Sequence, residues 1–435
     1  MLYYFIGIKG SGMSSLAQIM HELGYNVTGS DKPDHFFTEV GLIEKGIKFY
    51  EFNPDNIKEG MTIVKGNAFN DDFPEVQKAK ELNLKIYTYQ EMIDQITKET
   101  KLIAVSGCHG KTTTTTMVAK LFENLGINYL IGDGTGHAIK GNEYFALEAC
   151  EYKRHFLAYN PYYTIILNID LDHVDYFKDI NDVIDAYQEF ANLSNKMIIA
   201  NGDDENVRKL VVNKKIVYFG LQEKNDIRAV NISYTKDGTI FDVIIEDVMY
   251  GHFDLPIYGE HQLMDSLAVI GLCYYEGIDS EIVLDSFKTF SGAKRRFTET
   301  FVSNNVIIDD YAHHPNEVHS TINAIKQKYS DKLVVAIFQP HTFSRTKEFA
   351  EDLANELSKV DYAYVLDIHP AREKQEEYLG VTKDIIVSKK DNIYALSLDE
   401  ADILNKYDNA VFIFMSPNDI SKLEQDLINL KRTEK

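Results

Sequence analysis

Gly107-Cys108-His109-Gly110-Lys111-Thr112-Thr113 stands between an apolar run and a segment of helical periodicity. That is the setting of a phosphate-binding loop. Glycines let the backbone curl so that N–H groups face an anion, and the following helix N-terminus adds its positive end. In that reading Lys111 reaches the β- and γ-phosphates of ATP and the Thr112 hydroxyl ligates Mg²⁺. Only Cys108 and His109 separate Gly107 from the Gly110-Lys111 pair, whereas the usual loop has four residues there. The bland alternative is a glycine turn ahead of a helix cap.

A second glycine turn, Gly7-Ile8-Lys9-Gly10-Ser11-Gly12 followed by Met13-Ser14, resembles a dinucleotide fingerprint but carries Lys9 where the second glycine should let a pyrophosphate approach. Three readings stay open: a nucleotide diphosphate at the helix N-terminus, NAD, or a purely structural turn. Asp31 ends the next strand and is placed to hydrogen-bond a ribose. Further along, Glu148, Glu151 and Asp172-His173 follow apolar strands. At the carboxyl ends of strands in an α/β sheet, a carboxylate and an imidazole can complete metal coordination; the alternative is ordinary surface polarity.

Asp309-Asp310-Tyr311-Ala312-His313-His314-Pro315 and Gln339-Pro340-His341-Thr342-Phe343-Ser344-Arg345 follow two later strands and should emerge at one sheet edge. They read either as a polar pocket in which Arg345 grips a carboxylate or phosphate, or as helix-capping chemistry. No Cys or third His lies at zinc spacing from the His313-His314 pair. Lys294-Arg295-Arg296 is either a solvated charge run or an ion-pair and phosphate contact at a domain junction.

The elements that must position these residues follow a repeating strand–helix pattern. At 435 residues, and roughly 150 per domain, about three domains are expected. Strand Tyr3–Ile8, helix Met13–Leu23 and strand Tyr25–Thr28 open the first. A polar stretch, Asp94–Lys101, reads as a linker. The pattern restarts with strand Leu102–Val105, a helix to about Leu125, and strands at Tyr144–Glu148, Thr164–Asn168 and Met197–Ala200. Period-two alternation over 227–245 suggests a β-rich insertion. A third unit has strand Val306–Asp310, helix Pro315–Lys328, strand Leu333–Phe338, helix Lys347–Ser358 and strand Tyr362–Leu366, with a surface loop at Ala371–Tyr378. The expected fold is therefore α/β with three domains: residues 1–98, Rossmann-like; 99–293, a phosphate-loop ATPase-type unit; and 294–435, again Rossmann-like.

Composition excludes several classes. With 45 Lys and Arg against 67 Asp and Glu, the formal net charge is −22, which speaks against nucleic acid as a partner. If the ligands are anionic, the few cations must be concentrated at the site. No stretch approaches ~18 uninterrupted apolar residues, so no membrane span is expected. The N-terminus starts as a strand without a basic n-region, which does not read as a signal peptide. Three cysteines without a C-x-x-C fit a reducing, cytoplasmic setting.

Taken together these motifs resemble one family, the Mur ligases of peptidoglycan synthesis, over essentially the whole chain. The carriers are Gly7–Ser14, Gly107–Thr113, Glu148-Ala149-Cys150-Glu151, Asn168-Ile169-Asp170-Leu171-Asp172-His173, Arg295-Arg296-Phe297, Asp309–Glu317 and Phe338–Thr346. The Asp-Asp-Tyr-x-His-His-Pro and Phe-Gln-Pro-His pair is similar to the alanine-adding branch. The resemblance implies ATP-dependent ligation of L-alanine to the lactyl carboxylate of UDP-N-acetylmuramate through an acyl phosphate. It implies small-molecule partners only, no nucleic acid, no membrane, and a monomer or weak homodimer.

By position it also implies roles. Gly107, Cys108, His109, Gly110, Lys111, Thr112 and Thr113, with His261, Asp265 and Arg296, would hold ATP. Thr112, Glu148 and His173 would hold Mg²⁺. Gly7, Gly10, Ser11, Gly12, Met13, Ser14 and Asp31 would contact the UDP-sugar. Tyr311, His313, His341 and Arg345 would surround the alanine, with His313 a candidate proton acceptor. Lys111, Glu148, His173, His313 and Arg345 would be catalytic. Three departures stand out: Lys9 for a glycine, Gln262 and Asp265 in a motif that usually has asparagines, and Thr342 where an arginine is usual. The alternatives are another Mur or folylpolyglutamate-type amide ligase, an NAD-dependent oxidoreductase, and a nucleotide switch.

Overall fold

The apolar run Leu2–Ile6 forms the middle strand of a five-stranded, fully parallel sheet. Asn26–Asp31 and then Lys48–Glu51 lie on one side, Met61–Lys65 and then Lys85–Thr88 on the other. Strand order reverses on either side of Leu2–Ile6. A crevice therefore opens at its carboxyl end, where the chain turns through Gly7–Gly10 into helix Ser11–Glu22. Gly7 has φ +83°, and a Cβ there would lie 2.2 Å from the Phe69 ring, so the turn requires glycine. The computed structural model describes residues 1–371 and 373–433; Arg372, within the expected loop Ala371–Tyr378, lies outside the described residues.

The segment read as a linker is largely structured. Residues 94–97 close the amphipathic helix Tyr89–Thr97, which starts with a Thr88/Glu91 capping box, and Lys101 already begins the next strand. Polar composition here marks the exposed side of a helix, whose apolar side (Met92, Ile93) is buried. Strand Lys101–Ser106 sits near the middle of a ten-stranded sheet, between Tyr144–Glu148 and Tyr163–Ile166, followed outward by Met197–Asn201 and Lys215–Gly220. The period-two segment is the expected β-rich part of the middle unit, continuous with its sheet. Ile227–Thr235 joins that sheet parallel to Lys215–Gly220, and Gly238–Ile245 and Val248–Leu255 extend it antiparallel. Alternate residues Ile227, Ala229, Phe241, Val243 and Phe253 are buried with Leu263, Leu267 and Ile270 of helix Gly259–Tyr275.

The third sheet runs Thr298–Val302, Asn305–Asp310, Ala410–Met415, Leu333–Phe338, Tyr362–Val365, Ile393–Ala395, parallel except for the first strand. Helices Pro315–Lys328 and Phe343–Leu357 cover one face; Ala401–Asn405 and Ser421–Thr433 cover the other. The second of these helices starts four residues earlier than its periodicity suggested. Thr342 caps it, and the Glu373 carboxylate accepts the N–H groups of Phe343 (2.6 Å) and Ser344 (3.0 Å).

Side chains tie the three units together. Ser15 Oγ donates to Ile131 O (3.0 Å), Gln18 Nε2 donates to Gly134 O (2.8 Å), and Glu22 accepts Ala138 N–H (2.7 Å). Gln327 of the third unit accepts Gly259 N–H (2.7 Å) and donates to the carbonyls of Thr235 (2.9 Å) and Gly238 (3.0 Å). No helix among the described residues is long and apolar enough to cross a membrane.

Candidate active site

Two adjoining cavities lie where the units meet. The larger, about 430 Å³, is lined from all three: Ser11 and Gly12; Lys111, Thr112, Glu148 and His173; Arg296, Tyr311, His313, His341 and Arg345. The second, about 420 Å³, is lined by His109, Thr113, His261, Asp265 and Phe297 among others. Gly110, Arg296 and Glu317 border both.

The phosphate-type loop is built by its neighbours. Gly107 has φ +149° and Gly110 φ +85°. A Cβ on Gly110 would lie 2.6 Å from the Asp265 carboxylate, so the loop is a cradle that side chains would fill. Asn168 clamps it from both directions, its Oδ1 accepting His109 N–H (2.9 Å) and its Nδ2 donating to His109 O (3.0 Å). Lys111 Nζ donates to Cys108 O (3.2 Å) and to both Glu151 oxygens (2.9 and 3.3 Å). Burial opposes the Lys111 charge, but Glu151 outweighs it and raises the ammonium. Glu151 is 1 % exposed; Lys111, with His173 3.5 Å away, overrides burial and holds its carboxyl low.

Glu148 differs. Burial pushes its carboxyl up, while Gly132 N–H (2.6 Å), Lys111 and Thr112 pull it down. A cation beside it would supply the charge it lacks, and the Thr112 and Glu148 oxygens are hard donors of the kind a divalent ion prefers, whereas His173 Nε2 faces Glu151 Oε1 at 3.5 Å. Cys108 is buried between the loop and Asp170. Burial and then the Glu151 charge push its thiol well above the usual range, overcoming the pull of Lys111.

From the third unit, Arg345 places Nε (3.1 Å) and Nη2 (2.5 Å) on Asp172 Oδ1, and its Nη1 lies 3.2 Å from His341 Nδ1. Burial would raise Asp172, but Arg345 and then His173 hold it well below the carboxylate range. Arg296 lies 4.8 Å over the Tyr311 ring and 3.7 Å from Glu317. Arg295 instead pairs with Asp309 (3.0 Å) and donates to the carbonyls of Ser416 and Asn418, all within the third unit. The positive run therefore divides its tasks.

The third histidine that sequence spacing could not supply comes from another unit. His109 packs against His314 with ring centroids 4.5 Å apart and the rings tilted by 33°, and ligand-type atoms of His109, Asp170 and His314 lie within 4.8 Å of one another. His109 is wedged between Asp170 (3.4 Å) and Glu317 (3.5 Å). Burial disfavours its charge, yet the two carboxylates push it up to about 9. Charged in this way, His109 with Asp170 and Glu317 forms an ionic latch between the loop and helix Pro315–Lys328.

Several expectations land elsewhere. Lys9 neither faces a diphosphate nor points outward: its ammonium is buried against Glu39 (2.7 Å), the carbonyls of Lys32 (3.1 Å) and Asp34 (2.8 Å), and the rings of Phe36 and Phe49. Asp31 accepts Lys9 N–H (2.7 Å) and Lys32 N–H (2.8 Å), and it lines neither cavity. Met13 and Ser14 are buried on the core side of their helix, Ser14 Oγ donating to Thr38 O (2.7 Å). Gly7 and Gly10 shape the turn behind Ser11 and Gly12. His261 and Asp265 do share a cavity; burial lowers His261 to about 4 and raises Asp265 to about 8, so the Asp265 carboxyl can donate as the usual asparagine does. Sequence reasoning placed Glu151 and Asp172 at strand ends but not against Lys111 and Arg345, and it gave Asp170 and Glu317 no role of their own. Glu317 left a local signal as the N3 residue of a capping box.

Three α/β units closing on a glycine loop, a lysine and convergent carboxylates define a nucleotide-dependent α/β enzyme. Residues 2–101 match the model of the Mur ligase family catalytic domain, 105–273 the Mur ligase middle domain, and 295–404 the Mur ligase glutamate ligase domain. The chain belongs to the Mur ligase family, ATP-dependent amide ligases of peptidoglycan precursor synthesis. Among solved structures it is similar to UDP-N-acetylmuramate–alanine ligase MurC from Thermotoga maritima, at 25 % identity over 100 % of both chains with TM-score 0.83. It is also similar to the murein peptide ligase Mpl from Psychrobacter arcticus 273-4, at 22 % identity over 100 % of this chain and 99 % of that one with TM-score 0.73. A third, MurF from Thermotoga maritima in complex with ADP, shares 19 % identity over 88 % and 97 % with TM-score 0.65.

Proposed function

We propose that the chain joins L-alanine to the lactyl carboxylate of UDP-N-acetylmuramate, converting ATP to ADP and phosphate, in the cytoplasm. The observation that carries this reading is the larger cavity. It sets the first-unit turn at Ser11-Gly12, Lys111 and Thr112, and the Tyr311, His313, His341 and Arg345 group around one space. The Asp-Asp-Tyr-x-His-His-Pro and Gln-Pro-His segments supply the alanine side. In this reading residues 1–98 hold the UDP-sugar, 99–293 the ATP, and 294–435 the amino acid together with part of the ATP.

A carboxylate does not react with an amine in water, so it is first phosphorylated. Two anions must approach, and Lys111 with the loop N–H groups neutralises the charge between them. Thr112, Glu148 and His173 would hold magnesium, which would supply positive charge to offset that of the phosphates. His261 and Asp265 line the cavity that receives adenine, beside Thr113. Arg345 orients the alanine carboxylate with the guanidinium hydrogens that Asp172 and His341 do not engage, and His313 takes the amine proton. The walls from three units exclude water, which would hydrolyse the acyl phosphate.

The test is phosphate release with ATP and Mg²⁺, omitting UDP-N-acetylmuramate and L-alanine one at a time. Release needing both, with a UDP-sugar–alanine product by mass, is expected; release indifferent to both would overturn the ligase reading and favour a switch. A second reading is favoured by the full-length likeness to Mpl: the amine arrives as a preformed peptide. A panel of alanine, other amino acids and short peptides starting with alanine separates the two.

A further inference from the structure

His314 caps helix Pro315–Lys328, and Glu317 at the third helical position reaches back to the cap. One oxygen of that carboxylate, Oε2, accepts the backbone N–H groups of His313 (3.0 Å) and His314 (3.2 Å). The same oxygen lies 3.1 Å from His313 Nδ1, which is also 3.0 Å from the carbonyl of Tyr311. Both groups facing Nδ1 can only accept, so Nδ1 carries the proton and Nε2 keeps the lone pair. The other oxygen, Oε1, faces cations of the nucleotide side: Arg296 at 3.7 Å and His109 at 3.5 Å. A helix cap alone needs neither the contact to the ring nor these two.

We infer that Glu317 is a positioning residue for amide formation, fixing the tautomer of His313 that leaves Nε2 free to take the amine proton. The inference rests on the ligase reading above. In the step it serves, the amine nitrogen forms a C–N bond to the acyl-phosphate carbon and its proton passes to His313 Nε2. The C–O bond to the phosphoryl group breaks, and phosphate leaves with the electron pair. Burial keeps the ring neutral, lowering His313 to about 4 against the pull of Glu317. It is thus a base whose orientation matters more than its charge. A carboxylate that locks the opposite nitrogen of a catalytic imidazole is the arrangement by which other enzymes set this tautomer.

The experiment compares two amines on the full chain with ATP, Mg²⁺ and UDP-N-acetylmuramate. L-Alanine is largely protonated at neutral pH and needs a base; hydroxylamine is largely unprotonated there and traps the acyl phosphate without one. Glu317→Gln keeps a cap acceptor and the side-chain length. It should slow the alanine reaction about 100-fold more than the hydroxylamine reaction. In a His313→Asn background the same change should add less than about threefold to the loss with alanine. Equal losses with both amines, full additivity with His313→Asn, or no loss at all would overturn the role of Glu317. A parent enzyme that forms no hydroxamate would instead sink the ligase reading and this assignment with it.

Discussion

At the residue scale, the site depends on buried charges that neutralise one another across units. Lys111→Ala should reduce phosphate release at least ~10³-fold, because the γ-phosphate loses its nearest fixed cation. Circular dichroism should still report the fold, with a lower melting temperature, since Glu151 keeps only His173 beside it; near-normal turnover would remove the central claim. Arg345→Ala leaves Asp172 buried without its main cation, which should cost about 3–5 kcal/mol in stability. Adding Asp172→Asn should restore much of that stability while the KM for alanine stays raised by tenfold or more. An unchanged KM in the double variant would end the assignment of Arg345 to the amino acid. The loop around Lys111 and Thr112 was legible in the sequence because the glycines that shape it are contiguous with them. Asp172 was not, since its meaning comes from an arginine 173 positions away. Lys9 was misread for the same reason: its partners lie over residues 32–49, beyond the turn that frames it.

At the scale of elements, the latch between the loop and helix Pro315–Lys328 should leave a pH signature. Burial acts against the His109 charge, but Asp170 and Glu317 raise its folded value to about 9, above the ordinary ~6.5 of an unfolded histidine. A raised value stabilises the folded state fully below ~6.5, and that contribution, on the order of 3 kcal/mol, fades as pH rises through about 9. Denaturant unfolding of the parent and of Asp170→Asn should therefore differ most near pH 6 and converge above pH ~9.5; a constant gap would contradict the latch. Strands at Tyr144–Glu148 and Leu333–Phe338 and helix Pro315–Lys328 were readable from apolar runs and a proline at the first helical turn. The helix ending at Thr97 was not, because its exposed side is as polar as a linker. The hairpin after Ile227 showed its period but not its neighbour, since period two says nothing about which sheet a strand joins.

For the whole molecule, three folded units make one site only while they stay docked. Gly136 is the closest fit in the first junction: a Cβ there would lie 2.1 Å from Ser15 O and 2.7 Å from its carbonyl carbon, backbone atoms that cannot yield cheaply. Gly136→Ala should push helix Ser11–Glu22 off the middle unit, enlarging the radius of gyration in small-angle scattering. It should raise the KM for the UDP-sugar about tenfold or more, with ATP affinity changed far less because the second cavity lies away from that junction. Equal loss of both affinities would mean the junction supports the whole molecule rather than one substrate. The order of the units and their α/β character were legible, because each restarts the strand–helix pattern. Their docking was not, since it rests on small residues and single amide side chains that carry no periodicity.

The shell around Lys9 has a consequence for ionic strength. A chain with a formal net charge of −22 repels itself in dilute buffer, and its exposed ion pairs weaken in brine, where the screening length shrinks to ~3 Å at 1 M. The Lys9 ammonium, 6 % exposed and walled in by two carbonyls, two rings and Glu39, lies beyond the reach of either effect. The loop over residues 32–39 should therefore keep its shape from fresh water to strong salt, a fixed point on a surface whose other charges answer to the medium.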